Sequence, residues 1–249
     1  PKYPLGSPTE YPLYIVLGLV TGLAAAGFVK LLNWVETNIE KIDIIPIFIR
    51  TGLGGLCVGL IALSFPHILG NGFGVTSDLI SLDYDEGGNM VLGSSFPVNL
   101  DMASGITSLL IFVISIMLLK IIATSVSIGS GGSGGIFTPS LFIGAALGAA
   151  LGLVLNDMGM VDHPGAFALV GMAAFVASTT RATLTAIILL FEMTATYEII
   201  LPLMLSCVVA DAVCYGVSEH SCYTAKLARR GISIDLESEQ DLMRMIKVE

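Results

Sequence analysis

Residues 127–155 read SIGSGGSGGIFTPSLFIGAALGAALGLVL. A glycine and serine tract is followed by Ile136-Phe137-Thr138-Pro139 and then by an uncharged apolar run. Proline suits the first turn of a helix, where its missing N–H has no intrahelical partner to lose. The spacing therefore predicts a helix from Pro139 to Leu155. Its start presents backbone N–H groups without an internal acceptor, together with the positive end of the helix dipole. Such an arrangement binds an anion without a formal positive charge, and no Lys or Arg occurs from Ile121 to Thr180. Glycine accepts positive φ, so the tract is expected to let the chain turn tightly into this position.

Three plainer readings compete. A flexible linker normally joins polar surfaces, whereas this tract joins two apolar segments. A phosphate loop requires GxxxxGK[ST], which is absent. A glycine-rich packing region without a ligand remains open. An ion pathway is favoured because irregular backbone at membrane depth is tolerated only where protein or a water-filled cavity covers it.

The 249 residues are 54% hydrophobic and 12% charged, with a mean hydropathy of +0.87. Soluble domains carry about 25% charged residues, so an integral membrane protein is expected, in contact with lipid. The net charge of −9 comes mostly from residues 78–101 and 235–249. Basic residues form no patch for nucleic acid. Cys57, Cys207, Cys214 and Cys222 show no CxxC spacing, which argues against a metal or redox site and for small buried hydrophobes. The opening PKYPLGSPTE lacks a basic segment ahead of an apolar core, so no signal peptide is expected.

Working outward, residues 11–29 form an uncharged run that continues through Trp34 towards Lys41, long enough to span with tilt. Gly18 and Gly22 make a small-xxx-small face for close helix packing. Residues 51–77 are uncharged, with Gly52, Gly55 and Gly59 on one side and a stop near Pro66. Residues 71–101 read as a polar connection with one short helix near 75–82. A further span over 102–119 is expected to end at Lys120. Gly144, Gly148 and Gly152 recur every fourth residue and predict a close helix contact. Residues 156–164 read as a turn. Beyond it, 165–177, 182–191, 199–210 (with Pro202) and 212–217 are each too short to cross a ~30 Å core as straight helices. Short apolar pieces of this kind mark broken helices in transporters. The cluster Lys226, Arg229 and Arg230 predicts a cytoplasmic C-terminus.

GSGGSGGIFTPSLFIGAALG, with its GxFxP segment, resembles the CLC chloride channels and chloride/proton exchangers. TTRATLTAIILLFEMTATYEIILPLML is similar to that family's later membrane stretch, and SCYTAKLARRG to its last membrane helix with the pore tyrosine. YIVLGLVTGLAAAGFVKLLNWV is similar to the long helix that begins the family's second half. The resemblance covers about residues 10–231. It implies an all-α integral membrane fold of tilted and partial helices, one half of an inverted-repeat subunit. It divides the chain into 1–231, the C-terminal half of the membrane domain, and 232–249, an acidic cytoplasmic tail or the start of a linker. The backbone amides of Ile136 and Phe137 and the Tyr223 hydroxyl are implied to bind the anion, with Gly134, Gly135, Thr138 and Pro139 forming the pore-loop backbone. Taken alone, a tyrosine at a membrane boundary reads as an interfacial anchor. Chloride is the implied ligand, with no cofactor. The implied partners are the N-terminal half of the same subunit and a second complete subunit in a homodimer, the two-fold contact falling on residues 181–216. The family's GSGxP and GxExP motifs are not in this sequence, so the pore serine and gating glutamate have no counterpart here. Thr138 stands where many members have alanine, and Thr183 where many have proline; the latter leaves the start of the following helix open.

Among other polar residues, Arg181 and Glu192 are intramembrane by position and read as structural helix-end charges, too far apart (about 16 Å if on one helix) to pair. Asp211 reads as structural or near a water-filled vestibule. His67, His163 and His220 have no metal-ligand spacing, and no Ser/His/Asp arrangement suggests an enzyme. The leading function is halide transport, most simply chloride. The alternatives are a membrane half-subunit that only packs against a partner, and a discontinuous-helix transporter of another ion. A cation would sit at unwound carbonyls or helix C-termini, which a proline just inside a helix start argues against.

Overall fold

The computed structural model describes residues 10–41, 46–84, 90–91, 106–194, 197–218 and 220–229. The opening nonapeptide, much of the acidic connection and the tail 232–249 lie outside the described residues, so the expected boundary at 231 does too. The elements are α1 (Tyr11–Glu40), α2 (Ile47–Ser64), a 3-10 turn at Pro66–Ile68, α3 (Phe73–Ile80), α4 (Ile106–Gly129), α5 (Phe137–Asp157), α6 (Pro164–Thr180), α7 (Thr183–Thr194), a 3-10 turn at Tyr197–Ile199, α8 (Ile200–Val217) and α9 (Thr224–Arg229). A two-residue antiparallel pairing, Asp83 opposite Val91 and Tyr84 opposite Met90, lies between α3 and α4. Among the described residues five helices are long and apolar enough to cross a membrane. At 1.5 Å per residue α6 and α7 reach only about 26 and 18 Å, short of a ~30 Å core.

The centre of the fold is α6. It is apolar all round, and Pro164 through Thr179 are buried, which is how a helix enclosed on every side reads. Its closest neighbour is α5, and the glycine stripe makes that approach. A Cβ on Gly144 would stand 2.6 Å from the Gly171 carbonyl oxygen, and one on Gly152 2.7 Å from the Pro164 carbonyl oxygen. Gly148 lies against the Phe167 carbonyl, where a Cβ would collide outright. Gly18 and Gly22 serve α1 in the same way: Cβ atoms there would meet the Ser206 and Ala210 carbonyls of α8 at 2.9 and 2.5 Å. The Ser206 hydroxyl donates to the Tyr14 carbonyl at 2.7 Å across this contact, and the Tyr14 ring stacks on Phe167 of α6 at 4.5 Å.

Several expectations need correction. Lys120 does not end a helix; α4 runs through it without a break. Lys120 continues the buried series Leu109, Val113, Ile116, and is 3% exposed. Its ammonium donates to the carbonyls of Ile68 and Gly70 at 2.8 and 2.9 Å and lies 5.2 Å from the centre of the Phe142 ring. A charge satisfied in this way no longer opposes burial. The two pieces expected at 199–210 and 212–217 are one helix, α8. Pro202 falls in its first turn, where no hydrogen bond is lost, and Asp211 finds partners described below. The helix expected near 75–82 sits two residues earlier, at Phe73–Ile80. The uncharged 51–77 stretch divides after Ser64, as Pro66 requires. On α2, Gly52, Gly55 and Gly59 face open space, whereas Gly54 packs on Ser130.

Two measurements test this packing. Gly148→Leu should lower thermal stability in detergent by about 1–3 kcal/mol or more, because the side chain forces two backbones apart; a melting curve matching wild type would contradict the close α5–α6 contact. Lys120→Met leaves the Ile68 and Gly70 carbonyls without their donor and should cost about 1–3 kcal/mol by the same assay.

Candidate anion-binding site

The approach to α5 begins with the end of α4. The Gly132 N–H bonds the Ser127 carbonyl, and the Gly131 N–H bonds the Ile128 carbonyl, both at 3.1 Å. This is the paired closure of a Schellman motif, with Gly131 as its left-handed residue; Gly131 has φ 93°. Within the tract the tight turn expected from its glycines takes positive φ at one of them, Gly131. Gly134 and Gly135 contribute by lacking side chains. A Cβ on Gly135 would meet nothing within 4 Å, and one on Gly134 would barely touch Ile128, so they leave the backbone open. With Lys120, Thr124, Ser127 and Pro139 they line a cleft of about 180 Å³.

Ile136 is the N-cap of α5 and has no side-chain cap; the helix begins at Phe137, so Pro139 is its third residue. The first intrahelical bond runs from the Ser140 N–H to the Ile136 carbonyl at 3.0 Å. Ile136, Phe137 and Thr138 thus bring three N–H groups that the helix cannot satisfy, and Pro139 removes the fourth. The Ser140 hydroxyl also donates to the Ile136 carbonyl, at 2.9 Å. That peptide carries the Phe137 N–H, so two hydrogen bonds fix its orientation. Residues 136–139 are half-buried.

Tyr223 enters from the other end of the chain. Cys222, its neighbour, joins Val29 and Leu32 in a small buried cluster against which Ile136 packs. The Cys222 N–H donates to the Thr179 carbonyl in the last turn of α6 at 3.0 Å. The Thr179 hydroxyl lies 3.4 Å from the Ser140 hydroxyl in the first turn of α5. Ser221 caps α9, accepting the Thr224 N–H at 3.1 Å while its own N–H donates to the Thr224 hydroxyl at 2.9 Å; such reciprocal caps fix a helix start. The structure thus brings the Tyr223 backbone beside the start of α5. The Tyr223 side chain is 49% exposed, open to a ligand. Tyr223 and Cys222 lie in the turn outside the five spanning helices. Partial burial, and secondarily the Cys222 sulfur, raise the phenol above its ordinary value, so at neutral pH it is an O–H donor. Burial pushes the Cys222 thiol up to about 12, which leaves it protonated and unreactive.

Two ion pairs border this region, and the sequence reading had neither. The Lys226 ammonium of α9 lies 2.6 Å from the Glu36 carboxylate of α1, which is 8% exposed. Glu36 follows Val29 and Leu32 on the buried face of α1; an acidic residue in an apolar register was the available signal. Arg181 pairs with Asp211 at 3.4 Å. The expectation that Arg181 and Glu192 do not pair agrees with their placement: Arg181 ends α6, and Glu192 lies exposed on α7. Thr183 begins α7 and donates to the second Asp211 oxygen at 2.7 Å, which answers the question its departure from proline raised. Among the described residues no His, Cys, Asp and Glu group could hold a metal; His67 instead packs edge-on against Phe112.

Comparison with known proteins identifies the family. The voltage gated chloride channel family profile matches residues 3–215. A putative chloride channel protein, ClcB-like, from Ralstonia nicotianae is 32% identical over 231 residues, covering 92% of this chain and 48% of that protein. Chloride channel protein CLC-f of Arabidopsis thaliana is 36% identical over 215 residues, covering 82% and 25%. The chain thus spans half or less of the length of these relatives. A slow cyanobacterial Cl−/H+ antiporter superposes with a TM-score of 0.63 at 26% identity, covering 89% of this chain and 47% of that one. A eukaryotic CLC transporter superposes with a TM-score of 0.70 at 23% identity, covering 90% and 36%, and shares the fold. With the profile matched over most of its length, and with all-α helices that superpose on those transporters, this chain belongs to the voltage-gated chloride channel (CLC) family.

Proposed function

We propose that this chain forms the anion-binding half of a CLC-type transport subunit, with chloride or a similar halide held at the start of α5. The observation that carries the reading is the set of three N–H groups at Ile136, Phe137 and Thr138 that have no intrahelical acceptor, beside the tethered Tyr223 segment. Donors from a helix start and a phenol suit an anion and give a cation nothing to bind. Weak, multi-donor binding without a bare charge suits an ion that must also leave. The relatives' names, channels and an antiporter, point the same way. The reading as a packing module alone leaves these donors without purpose. The basic residues Lys226, Arg229 and Arg230 support a cytoplasmic C-terminus.

We also propose a homodimer of complete subunits, joined through α7 and α8. Leu184 and Ile188 of α7, and Leu201, Met204 and Val208 of α8, are exposed together, on the segment where the family resemblance places the two-fold contact. Such a contact is isologous, each patch meeting its own copy.

Bromide anomalous scattering from crystals of the full native protein should place an ion within hydrogen-bond distance of the Ile136 and Phe137 amides; density elsewhere, with none there, would remove the reading. Tyr223→Phe should weaken halide binding by about 1–3 kcal/mol, the range for one hydrogen bond to a charged acceptor. Cysteines introduced at Leu201 should crosslink pairs of subunits in native membranes, and recovery of monomers alone would sink the dimer.

A further inference from the structure

We propose that Arg181 is a positioning residue for the anion site, acting through the backbone that carries Tyr223. The proposal rests on the anion-site reading above and extends it to a residue more than forty positions away in sequence. Arg181 is the C-cap of α6 and, among the described residues other than glycine, the one with positive φ, at 61°. Its backbone N–H still closes the helix on the Ala177 carbonyl at 3.0 Å. A left-handed cap at a non-glycine residue is strained and persists where surroundings fix it. Here the side chain fixes it. The guanidinium donates to the Ser218 carbonyl, and reaches both the carboxylate and the carbonyl of Asp211 at 3.4 Å. It also lies 5.0 Å from the centre of the Tyr215 ring.

Ser218 is the C-cap of α8, so its carbonyl is one of the helix-end acceptors without an intrahelical donor. A cation there also meets the negative end of the helix dipole. Arg181 thus caps a helix other than its own. Two residues before it, the Thr179 carbonyl holds the Cys222 N–H. The end of α6 therefore grips the chain on both sides of the α8–α9 connection, at Ser218 and at Cys222, and Tyr223 follows directly. The same turn of α6 meets α5 at Ser140, whose hydroxyl orients the Ile136–Phe137 peptide. One helix end thus spaces the backbone that carries Tyr223 and the amides against each other. Asp211 sets the guanidinium in place and is itself held by Thr183. The planar fork of Arg spans two acceptors; the ammonium of Lys, a point charge on a flexible stem, does not reproduce that.

The test is a double-mutant cycle on bromide binding to the full native protein in detergent, read by calorimetry. R181Q should weaken bromide binding by roughly three- to tenfold, and Y223F by roughly five- to 150-fold, the loss of its hydrogen bond to the charged ion. Their combination should bind within about twofold of Y223F alone, because Arg181 acts through the tyrosine. R181K should recover only part of the loss, and D211N should weaken binding in the same direction. Should R181Q not fold, R181K and D211N carry the same cycle against Y223F. Wild-type affinity in R181Q, or losses that simply add, would overturn the role of Arg181 while leaving the site intact. Wild-type affinity in Y223F would instead overturn the anion-site reading, and the role of Arg181 with it.

Discussion

A backbone N–H in apolar surroundings must have an acceptor, and the start of α5 has three that its own helix cannot supply. Much of the molecule serves to hold that unsatisfied end in place. The Schellman closure at Gly131 ends α4 and releases the chain toward α5. Gly134 and Gly135 keep side chains out of the way, and Pro139 removes one donor from the set. Capping by a Ser, Thr or Asp side chain would have satisfied the end internally and closed the site. Ile136 in the N-cap position cannot do so.

Holding a helix end inside a membrane protein requires its neighbour to be rigid, and here the neighbour is α6. Glycines bring α5 and α6 to near backbone contact along three successive turns, so α5 cannot slide or rotate without a clash. Because α6 is buried from Pro164 to Thr179, its C-terminal turn packs against several other segments. Thr179 and Arg181 use that turn to hold the α8–α9 connection. Packing by small residues and capping by a charged one thus act in series between two parts of the chain far apart in sequence.

The glycine stripes, the long first helix and the stretch 127–155 were legible in the sequence because their spacing is local. Gly144, Gly148 and Gly152 predicted a close contact, and the contact is there. Lys120, Glu36 and Asp211 misled or stayed silent for one shared physical reason. Charge was read as an interruption, yet burial of a charge depends on partners from elsewhere in the chain. The partners of Lys120 are fifty residues upstream, in the turn after α2. Asp211 meets Thr183 and Arg181 across an interhelix contact, and Glu36 meets a lysine of α9. Thr183 in place of proline left the start of α7 open in the sequence. Its hydrogen bond to Asp211 fixes that start by a tether no local pattern announces.

Those partnerships also set the electrostatics of the site. Arg181 and Lys226 are paired with carboxylates of the chain, whereas Lys120, which lines the cleft with Gly134, Gly135 and Pro139, is held by two neutral carbonyls and keeps its charge. The difference from a bare charge is large. A free unit charge 4 Å from an anion contributes about 4 kcal/mol at an effective dielectric near 20. That corresponds to roughly a thousandfold in affinity, most of which falls on the rate of release. Hydrogen bonds from backbone amides and a phenol contribute about 1–3 kcal/mol each to a charged acceptor, and they point only where the peptide points. In the proposed site, oriented dipoles at the start of α5 add direction to the charge that lies nearby, and direction is what Ser140, Thr179 and Arg181 are placed to maintain.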